Sequence, residues 1–352
     1  MKTLSHRGRL KALAGAALFA VASAVAGAAP SAAEDLKTVR IFVPPLNANW
    51  TSGYELIEVA QEQGYFKKHG LDAQLSVLPW DQYTVALDSG SLDFAPFADY
   101  AYFIAAFDKG LKAKEVVSST LPFNPTTAGD GLVVRSDGPI KKPEDLKGKR
   151  IGTQWPSFSG VWFALDWLSK YGVTKDDVTI VPVPNAQLQQ VLDQGGVDAV
   201  IAYAPINIDL VRKGNYRQLF SVSDVAGRFV TRGGTMASDK FIAEHPDLVR
   251  AYVASISEAA DWANAHPAEV IKLGLDKGKL DPQYLPDLYT NNGSKDYTVL
   301  RWADHGLNNE QDLAFWLKLV EHADIVPAGK YKPTDFYTNA FNPHAGDPVK
   351  SN

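Results

Sequence analysis

The sequence predicts an α/β protein of two similar, Rossmann-like lobes, each a mixed, mostly parallel sheet covered by helices. Three observations carry that expectation. A seven-residue segment recurs at long spacing, the elements before it recur in the same order, and extended glycine-containing segments stand where the chain would pass between lobes.

The recurring segment is Leu87-Asp88-Ser89-Gly90-Ser91-Leu92-Asp93, which returns as Leu192-Asp193-Gln194-Gly195-Gly196-Val197-Asp198. Each copy reads as a helix stopped by a glycine and followed by a tight turn into a buried strand. Lys68-His69-Gly70-Leu71 precedes an expected strand over Ala73–Leu78, and Lys170-Tyr171-Gly172-Val173 precedes one over Val178–Val183. Further back, short strands at Val39–Val43 and Arg150–Thr153 each lead through a loop into a helix. The unit is therefore strand–helix–strand–helix–strand, twice, which implies parallel strands joined by right-handed crossovers.

Gly129–Arg135 reads as an extended segment leaving the first unit, and Thr231–Met236 as one returning after the second. Gly131, Gly233 and Gly234 would let the backbone rotate there, so the two segments read as a two-strand hinge. The remainder is helical by its 3.6-residue periodicity, over Asp239–Glu244, Pro246–Ala265, Pro267–Leu275 and Leu307–His322. His245-Pro246 and His266-Pro267 punctuate it, with proline in the first turn. The organisation expected is a leader over residues 1–33, a discontinuous lobe over 34–128 plus 235–352, and an inserted lobe over 129–234. The terminus from Asn342 is polar and expected to fray.

Lys2, Arg7, Arg9 and Lys11 form a basic segment, an Ala-rich apolar stretch runs from Leu10 to Ala29, and small residues close it at Ser31-Ala32-Ala33. That is the pattern of a cleaved secretory signal ending near Ala33, which places the mature chain in the periplasm with no membrane insertion. Cleavage removes four of the 35 basic residues and none of the 40 acidic ones, leaving a formal charge of −9. An acidic surface of that size argues against nucleic acid or anionic lipid as a partner. Cysteine is absent, so the fold must be held by its core alone, and no lipid-bearing cysteine follows the leader.

In parallel sheets ligands sit beyond the carboxyl ends of the strands. The loops to inspect are Pro44–Trp50, Pro79–Gln82, Ala95–Tyr100, Gln154–Gly160 and Ala202–Pro205. Trp50, Trp80 and Trp155 fall in these loops, with Tyr100, Phe158 and Tyr203 beside them, which suggests an aromatic box around a small ligand. The alternative is that these rings pack surfaces of the lobes. Trp162, Trp167, Trp262, Trp302 and Trp316 lie on expected helices and read as packing residues.

Trp155-Pro156-Ser157-Phe158-Ser159-Gly160 opens a helix, where free backbone N–H groups and serine hydroxyls favour an anion, or where Ser157 or Ser159 simply caps the helix. Arg232, on the returning segment, could fork onto a carboxylate or sulfonate, or join an ion pair between lobes. Asp99 would recognise an amine, or hold a backbone turn. There is no G-x-x-x-x-G-K-S/T loop for ATP and no G-x-S-x-G elbow. The histidines His69, His245, His266, His305, His322 and His344 show no metal-ligand spacing, so no metal, cofactor or catalytic residue is expected.

These residues resemble a known family, the periplasmic binding proteins of nitrate/sulfonate/taurine-type ABC importers. The resemblance runs from about Val39 to Leu275, through Gly64-Tyr65-Phe66-Lys67-Lys68-His69-Gly70-Leu71-Asp72, Leu87–Phe94, Gly131–Arg135, Pro143–Ile151, Val197–Ala199 and Ser238–Pro246. It implies a type II periplasmic-binding fold and a monomer that closes two lobes around a small molecule. It also implies delivery to permease subunits served by a separate ATPase. Carried over residue by residue, the ligand loops fall at Trp80–Gln82, including Asp81, at Ala98–Tyr100, at Gln154–Ser159 and at Tyr203–Pro205.

Sulfonate-type members often have a Gly-Pro-containing second loop, where this chain has Trp80-Asp81-Gln82. They often have a Trp and an Asp near the last switch, where it has Tyr203-Ala204. An alkyl or aryl sulfonate heads the expected ligands, followed by an aromatic carboxylate and then a thiamine-precursor pyrimidine leaning on Asp99. Two other roles are a periplasmic sensor subunit and a thiamine-pyrimidine synthase. The synthase's relatives carry a Cys-rich motif that this chain lacks.

Overall fold

The structure is a computed structural model, and it describes residues 36–43, 55–79, 82–120, 130–156, 159–203, 206–284 and 301–348. Leu36–Asn352 forms one compact unit. The leader lies outside the described residues, and no helix among those described is long and apolar enough to cross a membrane.

The strands are β1 (Lys37–Val43), β2 (Leu71–Val77), β3 (Ala95–Asp99), β4 (Ala113–Ser118), β5 (Gly131–Arg135), β6 (Lys149–Thr153), β7 (Val178–Pro182), β8 (Ala199–Ala202), β9 (Tyr216–Ser221) and β10 (Gly233–Ser238). β1 and β2 run parallel, and a parallel bridge from Ile41 to Phe94 ties β1 to the start of β3. β10 then pairs antiparallel with β3 and β4. The pair β1-β2 and the three-stranded sheet β3-β10-β4 are thus linked by that single bridge, and together they form the first layer, in the order β2-β1-β3-β10-β4. The second is ordered β7-β6-β8-β5-β9, parallel except for β5.

Each sheet thus contains one antiparallel strand contributed by the segment that crosses from the other, and these strands, β5 and β10, lie where the sequence places its two crossings. The recurring segment behaves alike in both places. Gly90 and Gly195 have φ of 74° and 70°, a left-handed conformation that a β-carbon disfavours. The residues after them donate backwards, Ser91 N–H to the Ala86 carbonyl at 2.9 Å and Gly196 N–H to Val191 at 2.8 Å. That closes both helices on a Schellman-like turn.

The helices among the described residues are α1 (Glu55–Glu62), α2 (Tyr65–Lys68), α3 (Tyr83–Asp88), α4 (Tyr100–Asp108), α5 (Ser159–Ser169), α6 (Leu188–Asp193), α7 (Ile206–Arg212), α8 (Val222–Ala226), α9 (Asp239–Glu244), α10 (Pro246–Ala265), α11 (Pro267–Asp276) and α12 (Glu310–His322). α10 buries Val249, Tyr252, Val253, Ile256, Ala260 and Ala263, spaced three and four apart, and Tyr252 stacks on Phe94 at 3.8 Å between centroids. α12 packs against elements of both sheets. Phe315 stacks on Phe163 of α5 at 5.4 Å, and Trp316 lies 6.3 Å from Tyr100 of α4. Its indole N–H donates to the Thr231 carbonyl at 2.7 Å, at the approach to β10.

Two expectations are corrected. α12 begins at Glu310 rather than Leu307, because Asn309 accepts from the Gln311 N–H at 2.8 Å and caps it. Trp302 is wholly buried as expected of a packing residue, but it is not helical. Asn264 at the end of α10 holds both its backbone N–H and its carbonyl, at 2.9 and 3.2 Å.

Candidate functional site

Asp99 is the last residue of β3 and the N-cap of α4. One carboxylate oxygen accepts from the Ala101 N–H at 3.0 Å, and the other accepts from the Ser159 hydroxyl at 2.7 Å. Ser159 is buried and opens α5, which leaves the far end of β6 in the second sheet. Arg232 stands just before β10, where its carbonyl accepts from the Tyr100 N–H at 2.8 Å. Its guanidinium lies 3.3 Å from Asp130, whose side chain is fully buried. Three residues singled out in the sequence, from three separate loops, therefore meet at the junction of the two sheets.

The electrostatics follow from that convergence. Burial raises the carboxyl of Asp99 above the ordinary aspartate range. The Arg232 charge, the Ser159 hydroxyl and the N–H groups of Ala101 and Tyr102 pull it back towards ionisation. Asp99 also stands at the N-termini of both α4 and α5, where helix dipoles favour a negative charge. The anion seat that the sequence places at the start of α5 is thus faced by one of the protein's own carboxylates. Arg232 is likewise matched, by Asp130.

Asp130 was not legible as a site residue. Its only signal was an acidic side chain immediately before an otherwise apolar buried strand.

Gln154 follows β6, and its side-chain oxygen is buried with no hydrogen-bond partner among the described residues. An orphaned acceptor at a strand end calls for a donor from a ligand or water. Trp155, next along, is 39% exposed. Tyr203 follows β8. Its hydroxyl accepts from Asn185 Nδ2 at 2.9 Å, and its carbonyl accepts from the Ile206 N–H, holding the start of α7.

Tyr100 is a correction. Its ring is wholly buried, its hydroxyl donates to Asn308 at 3.3 Å, and it lies beside the Glu115 carboxyl. As the first helical residue after the cap it belongs to the core, so it cannot contribute to an aromatic box. Trp50, Trp80, Asp81, Ser157 and Phe158 lie outside the described residues.

Comparison with known proteins bears on this geometry. A family model described as NMT1/THI5 like matches residues 54–270. A Brucella abortus (strain 2308) protein named as a binding protein is 28% identical over 66% of this chain and 71% of its own length. A 4-amino-5-hydroxymethyl-2-methylpyrimidine phosphate synthase of Candida albicans (strain WO-1) is 27% identical over 83% of this chain and 86% of its own. Among solved structures, the periplasmic aliphatic sulphonate binding protein of Escherichia coli superposes with a TM-score of 0.62 at 19% identity, covering 82% of this chain and 88% of that one. The fold is therefore that of the periplasmic binding proteins, with the mixed sheets expected from the sequence.

Proposed function

The chain belongs to the NMT1/THI5-like family, and from that premise we propose that it is a periplasmic solute-binding protein that captures a small organic molecule between two lobes and hands it to an ABC permease. The lobes are residues 34–128 with 235–352, and residues 129–234, hinged at β5 and β10. Ligand binding would shift the population towards a closed state that the permease recognises.

The observation that carries this reading is the Asp99–Ser159 hydrogen bond at 2.7 Å, which joins the strand-end loops of the two sheets. The same observation reorders the ligand classes. Among the described site residues Asp99 and Asp130 supply two carboxylates against the one guanidinium of Arg232. A sulfonate would have to approach a carboxylate, which costs free energy through like-charge repulsion. A ligand offering amino or ring N–H donors, of the aminopyrimidine kind, suits Asp99 and the unsatisfied oxygen of Gln154. Sulfonates and aromatic carboxylates follow. The synthases among the relatives keep an enzymatic reading in the field.

The test is a thermal-shift panel on residues 34–352 with aminopyrimidines, sulfonates, aromatic carboxylates and nitrate. A ligand at a hundred times its Kd adds about 2.7 kcal/mol of stability. An aminopyrimidine hit that is recovered unchanged by mass spectrometry, and lost in Asp99→Asn, supports the proposal. A sulfonate hit that Asp99→Asn strengthens would restore the sulfonate class, and a chemically altered ligand would make the protein an enzyme.

A further inference from the structure

Away from the strand-end loops, folding assembles a group of side chains that the sequence keeps apart. Asp261 lies near the end of α10, His305 in the turn Asp304–Gly306, and His344 in the C-terminal segment. Histidine spacing along the chain gives no sign of this group, which only the fold assembles. One donor atom from each of these three residues lies within 4.8 Å of the others, and all three residues are half-buried.

The cluster is built rather than incidental. One oxygen of Asp261 accepts from the His305 backbone N–H at 3.0 Å, and the other lies 2.7 Å from His305 Nδ1. Asn342 holds the His305 carbonyl at 2.8 Å, and its own oxygen accepts from the His344 N–H at 2.9 Å. These bonds keep His305 at φ 56°, in the left-handed region that a side chain disfavours, so the surroundings over-determine its position. His344 Nδ1 lies 2.9 Å from Asp347. The two imidazoles stack with centroids 3.9 Å apart and planes within 10°.

Each ring thus has Nδ1 against a carboxylate. For His305 the contact sets Nδ1 and an Asp261 oxygen 2.7 Å apart, close enough for one ion to take the place of the proton between them, and for His344 it turns Nε2 away from Asp347, where that nitrogen can donate its lone pair. The charge balance points the same way. Among the described residues the ion-pair partners of Asp261 and Asp347 are these histidines, with no lysine or arginine. With neutral rings the cluster carries two negative charges and two imidazole lone pairs, a complement to a divalent cation.

We propose that Asp261, His305 and His344 bind one divalent transition-metal ion of the zinc class, with Asp347 orienting His344. Imidazole nitrogens with a carboxylate select Zn²⁺, Cu²⁺ or Ni²⁺ over Mg²⁺ and Ca²⁺, which favour all-oxygen sites. Tetrahedral bonds of about 2.0–2.2 Å set donors roughly 3.5 Å apart, so the three must draw together on binding, and the ion would fasten the C-terminal segment onto α10. The site shares no residue with the ligand loops, so its fate is independent of the solute proposed above.

The experiment is calorimetric titration of Zn²⁺ into chelator-treated residues 34–352 carrying no polyhistidine tag, alongside thermal melts with and without the ion. The expected result is one ion per chain, a raised Tm, no heat with Mg²⁺, and a visible absorption band on Co²⁺ substitution. His344→Ala and His305→Asn should each weaken binding at least tenfold. No Zn²⁺ heat, or an unchanged affinity in folded His344→Ala, overturns the proposal. Should His305→Asn fail to fold, His344→Ala decides alone, because its side chain lies in the terminal segment.

Discussion

In the first sheet Gly234 of β10 faces Ser118 of β4, and Met236 faces Glu115. In the second, Gly131 of β5 faces Ser221 of β9, and Val133 faces Gln218. Both ladders slip register at the same step, between Thr235 and Met236 in one and between Leu132 and Val133 in the other. A β-carbon on Gly234 would come within 2.4 Å of Glu115 Oε1, and one on Gly131 within 2.5 Å of Gln218 Oε1. In each sheet, then, a glycine beside a bulge makes room for a side-chain oxygen. Gln218 Oε1 accepts from Asn207 on α7 at 3.0 Å, and the Glu115 carboxyl lies beside the Tyr100 hydroxyl on α4. The position wants a polar but uncharged side chain. An amide supplies that directly. Glutamate supplies it because burial pushes its pKa well above the ordinary range, with the Asp312 charge adding to the rise.

The largest effect expected from this comparison is at the glycines. A methyl on Gly234 would also come within 2.1 Å of the Val117 backbone carbonyl, which cannot swing away. At Gly131 the obstacles are the side-chain ends of Gln218 and Asn207. Gly234→Ala should therefore cost about 3 kcal/mol or more and Gly131→Ala about 1 kcal/mol, read from urea unfolding midpoints. Equal losses would mean that the two crossings are not packed in the manner described.

A smaller effect separates the aspartates that end the recurring segment. Asp93 and Asp198 each accept the backbone N–H of an arginine, Arg40 at 2.7 Å and Arg150 at 2.9 Å. There the likeness ends. Asp93, with its side chain 6% exposed, takes the Arg40 guanidinium as a fork at 2.6 and 3.0 Å. Asp198 is 28% exposed and lies 3.8 Å from Arg150, whose guanidinium instead donates to the Gly195 carbonyl at 2.7 Å. Asp93→Ala should cost about 2 kcal/mol, and Asp198→Ala about 1 kcal/mol or less. High salt should narrow the gap, since Arg40 is partly exposed.

These particulars show what the chain discloses in one dimension. Glycine stops, His-Pro punctuation and strand periodicity are local, so the helices α9, α10 and α11 and the twin turns at Gly90 and Gly195 could be read directly. Asp99, Ser159 and Arg232 could be singled out because each lies at the end of an element, and the fold brings the three together. Asp130 and the oxygen of Gln154 could not, since their meaning depends on burial and on partners far along the chain. Tyr100 failed for the opposite reason. One step along the chain separates the capping side chain of Asp99, which meets Ser159, from a ring that turns into the core, and sequence spacing does not resolve that step. The Glu115–Gln218 equivalence was invisible as well, because the strands carrying it share no motif.

The sharpest test of that equivalence is also the smallest perturbation, Glu115→Gln. A carboxyl whose folded pKa is raised above its unfolded value of 4.5 leaves stability intact below that pH. Above it, the unfolded chain loses its proton while the folded chain keeps it, so stability falls as pH rises until the folded group ionises too. The glutamine variant has no such proton to lose. At pH 4.5 it should match the parent within about 1 kcal/mol, and the difference should then grow in its favour by about 1.4 kcal/mol per pH unit. The reciprocal change, Gln218→Glu, puts a carboxyl at a half-buried position where Asn207 Nδ2 donates to it, so its pH-dependent loss should be smaller than that of Glu115. Two stability–pH curves that run parallel in Glu115→Gln and its parent would show that Glu115 is not held neutral. The two sheets would then share a bulge and a glycine but not the reason for them.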